Sequence, residues 1–121
     1  MKYNCVITDI EEDEITILIN NIEITGFCNK GILLDIGSEI EVDISFYDDL
    51  LICKSDKEKP SINRKGCSLS YSIVGILSIE ESRVESLINF DLECNELYNY
   101  SFLDGKMVEI DILRINLEFE N

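Results

Sequence analysis

Histidine and tryptophan are absent from this 121-residue chain, proline occurs once, and basic residues are scarce. Without histidine there is no imidazole base, so Ser-His-Asp and Cys-His catalysis are excluded along with histidine-ligated metals. Without tryptophan there is no indole platform of the kind on which sugar rings stack. No CxxC pair, GxGxxG fingerprint or P-loop pattern occurs, and no apolar stretch approaches the length of a membrane span. The opening residues, MKYNCVITDIEEDE, hold too short an apolar run for a signal peptide and reach acids at once, so the chain reads as cytosolic.

The shortage of positive charge is severe: 10 Lys and Arg stand against 25 Asp and Glu, a net charge of -15. Nucleic-acid backbones and anionic membranes repel such a chain, and a basic protein partner becomes the favoured class. Five cysteines, Cys5, Cys28, Cys53, Cys67 and Cys94, are odd in number and widely spaced. That pattern fits reduced thiols serving as small core hydrophobes in or beside strands, not a disulfide framework or a zinc site.

What the chain does have is strand patterning. Gly37 to Phe46, GSEIEVDISF, is echoed by Gly105 to Arg114, GKMVEIDILR. In each, a glycine opens a strict alternation: Ile40, Val42, Ile44 and Val108, Ile110, Ile112 point one way, Glu41, Asp43 and Glu109, Asp111 the other. Upstream of the glycines only Val6 and Val74 keep the shared spacing, so convergence explains the echo better than duplication.

The N-terminal part predicts a three-strand meander. Residues 3 to 10 form a strand, Glu11 to Glu14 an acidic turn, Ile15 to Asn20 a second strand, and Asn20-Asn21 a two-residue turn into Ile22 to Cys28. Parity then pairs Ile19 with Ile22, Ile17 with Ile24 and Ile15 with Gly26, and across the first turn Ile10 with Ile15, Thr8 with Ile17 and Val6 with Ile19. Gly31 to Leu34 reads as a connector over a barrel end, Asp48-Asp49 as a turn, and Leu50 to Lys54 as a short returning strand. Residues 55 to 66 read as a polar surface loop carrying Pro60.

Leu69, Tyr71 and Ile73 alternate up to Val74-Gly75-Ile76, where a glycine at a parity change predicts a bulge or a sharp strand bend. Glu80 to Arg83 reads as a turn, Ile88 to Cys94 as a strand, and Asn95 to Asp104 as a loop or single helical turn. A second parity change predicts a bulge at Leu113-Arg114, before Ile115, Leu117 and Phe119. The expected fold is all-β: one domain over residues 1–121, a bent antiparallel β-barrel of about eight strands, OB-like or SH3-like, with little or no helix.

Two clusters are candidate sites. Glu41, Asp43, Glu109 and Asp111 form a wet carboxylate face suited to occluding a basic surface, as small acidic immunity and inhibitor proteins do as a class. Were the two strands neighbours across a cleft, the same carboxylates would be placed for glycosidase acid-base chemistry. Lys54, Lys57, Lys59, Arg64 and Lys65 gather in one loop, which an OB-like module would use on nucleic acid or another anion, or which would meet the acidic face of a second copy or of a partner. The acidic turn Glu11, Glu12, Asp13, Glu14 lacks both EF-hand spacing and a glycine, and reads as a solvated turn. No cofactor, metal or catalytic role is expected. The favoured function is protein contact with a basic partner.

Overall fold

The structure is a computed structural model that describes residues 2–28, 35–47, 50–92 and 97–119. The expected meander is present as β1 (Lys2–Glu11), β2 (Glu14–Ile19) and β3 (Ile22–Phe27). Asn20 and Asn21 both adopt positive φ, 50° and 67°, the type I′ geometry that lets two residues turn a right-twisted hairpin. Ile19 pairs with Ile22, Ile17 with Ile24 and Ile15 with Gly26, in the register that parity predicts. Across the acidic turn, Ile10 pairs with Ile15 as expected.

Beyond that pair the expectation fails, because a bulge between Ile7 and Asp9 shifts the register. Ile7 pairs with Ile17 and Val6 with Leu18, in place of Thr8 and Val6 opposite Ile17 and Ile19. The bulge turns Cys5 and Ile7 into the core and leaves Thr8 outside, where its hydroxyl donates to the Thr16 carbonyl at 3.2 Å. Strict alternation would instead have buried a hydroxyl and exposed an isoleucine.

β4 (Glu39–Tyr47) pairs with β1 on one side and with β11 (Arg114–Phe119) on the other, and β11 runs parallel to β3. The ring β1-β2-β3-β11-β4 is a closed five-stranded barrel. The parallel seam consists of the single pair Asn116 with Phe27. Gly26 makes the close approach possible: a Cβ there would lie 2.6 Å from Leu117 Cγ and 2.9 Å from the Ile115 carbonyl oxygen. The buried Thr25 N–H beside the seam donates to the Tyr71 hydroxyl at 2.8 Å.

The remaining strands form a six-stranded sheet. Its members are β5 (Leu51–Lys54), β6 (Ser61–Arg64), β7 (Tyr71–Ser78), β8 (Arg83–Glu85), β9 (Asn89–Asp91) and β10 (Met107–Ile112), ordered β5-β10-β7-β8-β9 with β6 beside β7. The all-β barrel expectation therefore holds, with eleven strands and one parallel contact among the described residues and a second sheet added. Two short 3-10 turns within Leu97–Leu103, separated by a kink at Tyr100 (φ -103°, ψ 16°), occupy the stretch expected to be a loop or helical turn.

Several local expectations are corrected. β5 does not return onto β4; it pairs with β10. The stretch 55 to 66 contains β6, which pairs with the first half of β7. β7 has no bulge: its register with β10 is unbroken from Tyr71 to Ile76, and Tyr71, Ile73 and Leu77 share one buried face while Val74 is buried on the other. The apparent parity change reflects burial on both faces. Gly75 is needed for proximity, since a Cβ would lie 2.5 Å from the Glu85 carbonyl oxygen.

At Leu113 the parity change is real, but it marks a switch of sheets: β10 belongs to the second sheet and β11 to the barrel, with Leu113 exposed at the corner. The turn after β7 ends at Ser82, and the expected strand from Ile88 shortens to β9, with β8 preceding it. The Gly31 to Leu34 connector, the Asp48-Asp49 turn and Cys94 lie outside the described residues.

One hydrophobic cluster joins the two sheets. Phe90 of β9, 1% exposed, packs its ring 5.5 Å from Phe46 of β4 and 6.2 Å from Tyr3 of β1. The Tyr3 hydroxyl reaches across to donate to the Asn89 carbonyl, which also occupies a backbone acceptor of β9. Burial, reinforced by Asp91 and Asp43, pushes the Tyr3 phenol well above its ordinary pKa, so it stays a neutral donor.

Candidate functional site

The four predicted carboxylates are not brought together. Glu41 and Asp43 lie on β4 in the barrel, flanked by β1 and β11, whereas Glu109 and Asp111 lie on β10 in the second sheet, flanked by β5 and β7. The strands share no neighbour, so the paired-carboxylate arrangement of a glycosidase is not assembled from these residues.

On β10 the predicted acids meet the predicted bases. Lys57 Nζ lies 2.8 Å from Glu109 Oε1, and Lys65 Nζ lies 2.9 Å from Asp111 Oδ1. The hydrogen bond from Lys57 holds the Glu109 carboxyl below the usual carboxylate range; desolvation opposes this, and the Lys57 charge and a hydrogen bond with Ser72 assist it. Arg64 is used within its own loop, donating from Nε to the Ser68 carbonyl at 2.6 Å and from Nη2 to the Cys67 carbonyl at 3.1 Å. Lys54 and Lys59 stay exposed. The loop that sequence reasoning sets against the acidic face of a second copy or of a partner thus lies along an acidic strand of its own chain.

The barrel face is different. Along β4, Glu39, Glu41 and Asp43 alternate with the inward Ile40, Val42 and Ile44. Across β1 their Cα partners are Val6, Asn4 and Lys2, and across β11 Asp43 faces Glu118. Glu39 and Glu41 are exposed, and Lys2 Nζ stands 3.9 Å from Glu41 Oε1, at the outer limit of an ion pair. An open groove of about 570 Å³ lies here, lined by Asn4, Cys5, Val6, Leu18, Asn20, Asn21, Glu39, Ile40 and Glu41. Val6 and Leu18 pair across β1 and β2, so apolar surface sits between carboxylates on one side and the hairpin amides on the other.

Sequence reasoning places Glu41 correctly on a wet strand face but misses Glu39, the amides and the groove. Glu39 shares the parity of Glu41 and was available as a signal. Asn20 and Asn21 were legible only as turn formers, because their position opposite Glu39 depends on β1 pairing with both β2 and β4.

Other chemistry-bearing groups have structural roles. The Arg114 guanidinium is stacked 4.3 Å from the Phe27 ring centroid and 4.2 Å from that of Tyr47, with Nε donating to Asn116 Oδ1 at 2.9 Å. It therefore links β3 and β4 across β11, beside the parallel seam. A second groove, about 420 Å³, is lined by Glu11, Glu12, Asp13, Glu14, Phe27 and Leu69. Among the described residues, no group of three or more Cys, Asp or Glu side chains is placed to hold a metal ion.

Two cysteines depart from the core expectation. Cys5 and Cys28 are buried, and burial pushes the Cys5 thiol up to about 11, far from a reactive thiolate. Cys53 and Cys67 are exposed; Cys53 shares the outward parity of Leu51 on β5. Among the described residues, no helix is long and apolar enough to cross a membrane.

No curated protein and no solved structure matches the chain. The family described as Uncharacterised conserved protein UCP019853 matches residues 1–120, and the chain belongs to it.

Proposed function

We propose that the protein acts by contact, without chemistry of its own, docking the acidic face of its barrel onto a basic surface of a protein partner and occluding it. The observation that carries this reading is the β4 face: Glu39 and Glu41 stand exposed beside a groove, with Asp43 and Glu118 adjacent. The net charge of -15 adds a long-range field that speeds encounter with a cationic partner and repels anionic ones. Inhibitor and immunity-type proteins are the functional class this describes. The same reading has the protein act in the cytosol, where exposed Cys53 and Cys67 stay reduced.

The competing use of the barrel, binding nucleic acid through the 54 to 65 loop, has less support. Lys57 and Lys65 are engaged by acids of β10, and Arg64 by its own loop. The outward positions of β2 and β3, the face that OB barrels offer to oligonucleotides, carry Glu14 at the acidic turn and Glu23 near the Asn20-Asn21 turn.

The test is affinity capture with the purified chain at low and high salt, run in parallel with a Glu39→Lys/Glu41→Lys variant. Basic proteins that elute with salt and are lost with the variant support the reading. Recovery of RNA or DNA by both forms would overturn it.

A further inference from the structure

We infer that the free edge of β5 pairs with the same strand of a second copy, antiparallel about a two-fold axis at Ile52, so that the second sheets of two chains join into one. The contact involves no residue of β4 and stands apart from the acidic-face docking above.

A sheet edge is a template for a further strand, and proteins blunt it with charge, proline or cover. The barrel is closed, and the β9 end of the second sheet is seated against Tyr3 and Phe46 of the barrel. β5, at the other end, has one neighbour among the described residues, β10. It contains no proline and no acid; Leu51 is 57% exposed, and Cys53 is exposed beside it on the outward face. Hydrogen-bond parity shows what the edge presents. Lys54 is the Cα partner of Val108, and the next residue, Ser55, donates its N–H to the Met107 carbonyl at 3.0 Å. Alternate residues of an antiparallel strand bond to opposite sides, so Leu51, Cys53 and Ser55 direct their backbone groups at β10, and Ile52 and Lys54 direct theirs away. The same alternation continues across β10, where the Leu77 N–H donates to the Lys106 carbonyl at 3.1 Å.

A two-fold contact demands a self-complementary patch, and β5 supplies one. In sequence Asp48-Asp49 precede the strand and Lys54, Lys57 and Lys59 end and follow it, so antiparallel pairing runs the acidic end of one copy toward the basic end of the other. With the outward groups on Ile52 and Lys54, the registers that overlap most of β5 place the axis at Ile52 or at Cys53. At Ile52, each Leu51 lies opposite the Cys53 of the other copy, in the closer, non-hydrogen-bonded kind of pair. At Cys53, each Leu51 lies opposite Ser55 and its apolar surface goes unmatched. Cross-strand apolar pairing therefore selects Ile52. Pairing covers the edge and leaves the outer face of the sheet open.

The experiment is sedimentation equilibrium of the full chain over a range of concentrations at low and high salt, with thermal melts showing that each variant is folded. The native chain should form a dimer that tightens as salt rises, because screening weakens the repulsion between two net charges of -15; an acidic-face complex loosens under the same change. Leu51→Lys sets a cation into each apolar pair, and Lys54→Pro deletes an edge N–H without touching the bonds to β10. Each should weaken dimerisation roughly tenfold or more, since the axis applies every loss twice. In a chain carrying Cys67→Ser and Leu51→Cys, oxidation by copper phenanthroline should link position 51 of one copy to Cys53 of the other. A monomer at every concentration and salt would overturn the inference. So would a dimer that both β5 variants leave intact, or a native chain that oxidises to a dimer joined from Cys53 to Cys53. Each of these outcomes leaves capture of basic proteins by the acidic face untouched, so the two readings fail separately.

Discussion

Gly75→Ala is the sharpest test of the packing between the halves of the second sheet. At this point β7 exchanges one neighbour for another: Val74 pairs with Ser61 of β6, and Ile76 pairs with Glu85 of β8. Ser86 closes the gap by donating from Oγ to the Val74 carbonyl at 2.6 Å. A methyl at residue 75 would lie 2.5 Å from the Glu85 carbonyl oxygen, 2.9 Å from its carbon and 2.9 Å from Val84 Cγ2. Carbonyl contacts that close require the backbone of β8 to move, and Val84 is itself fully buried, so the strand cannot shift without disturbing the core. Overpacking of this kind typically costs about 1–3 kcal/mol. Replacing glycine where the backbone suits alanine stabilises by about 0.4–1 kcal/mol through the unfolded chain. The clash wins, leaving a net loss of about 1–2 kcal/mol. With a urea m-value of about 2 kcal/mol per molar, the middle of the usual range, the unfolding midpoint should fall by roughly 0.5–1 M at unchanged m. An unchanged or raised midpoint would refute the close approach of β8.

Three further predictions follow from groups described above. Tyr71→Phe strips the acceptor from the buried Thr25 N–H beside the parallel seam and should cost about 1–3 kcal/mol in urea unfolding; a change below a few tenths would place another acceptor there. For Lys57 and Glu109, a double-mutant cycle should give a coupling of about 0.2–1 kcal/mol at neutral pH and low salt, as both side chains are more than one-third exposed. Because the Glu109 carboxyl is held below its unfolded value, its contribution is present above the unfolded carboxylate pKa and vanishes as pH falls through the folded one; coupling that grows on acidification would contradict this. Alkylation of the native protein followed by peptide mapping should label Cys53 and Cys67 quickly and Cys5 only on unfolding, given its burial and raised thiol pKa. Rapid native labelling of Cys5 would show that the barrel end opens.

How far the site was legible follows the range of the interactions that make it. The Asn20-Asn21 turn and the pairing of Ile15, Ile17 and Ile19 were readable because two adjacent positive-φ residues and a period of two fix a hairpin locally. The Ile7 to Asp9 bulge was not, since Val6 and Thr8 satisfy alternation as well as Cys5 and Ile7 do, and only core packing chooses between them. Val74 and Gly75 misled for a related reason: burial on both faces imitates a change of parity. The basic loop and the acidic β10 face read as rival sites because Lys57 and Glu109 are 52 residues apart in the chain, with nothing local to announce the ion pair.

The glycine-led strands show where the division falls. By itself the sequence determined that the stretches 37 to 46 and 105 to 114 hold strands with one apolar and one acidic face, because side-chain direction in a strand depends only on position along it. It also determined the acidic field, which is a sum over charges and needs no fold. Which strand lies in the barrel and which in the second sheet, and therefore that Glu109 and Asp111 meet Lys57 and Lys65 while Glu39 and Glu41 border the groove, was decided only by tertiary structure. Strand pairing is a contest among distant segments of similar pattern, settled by the packing of the whole core.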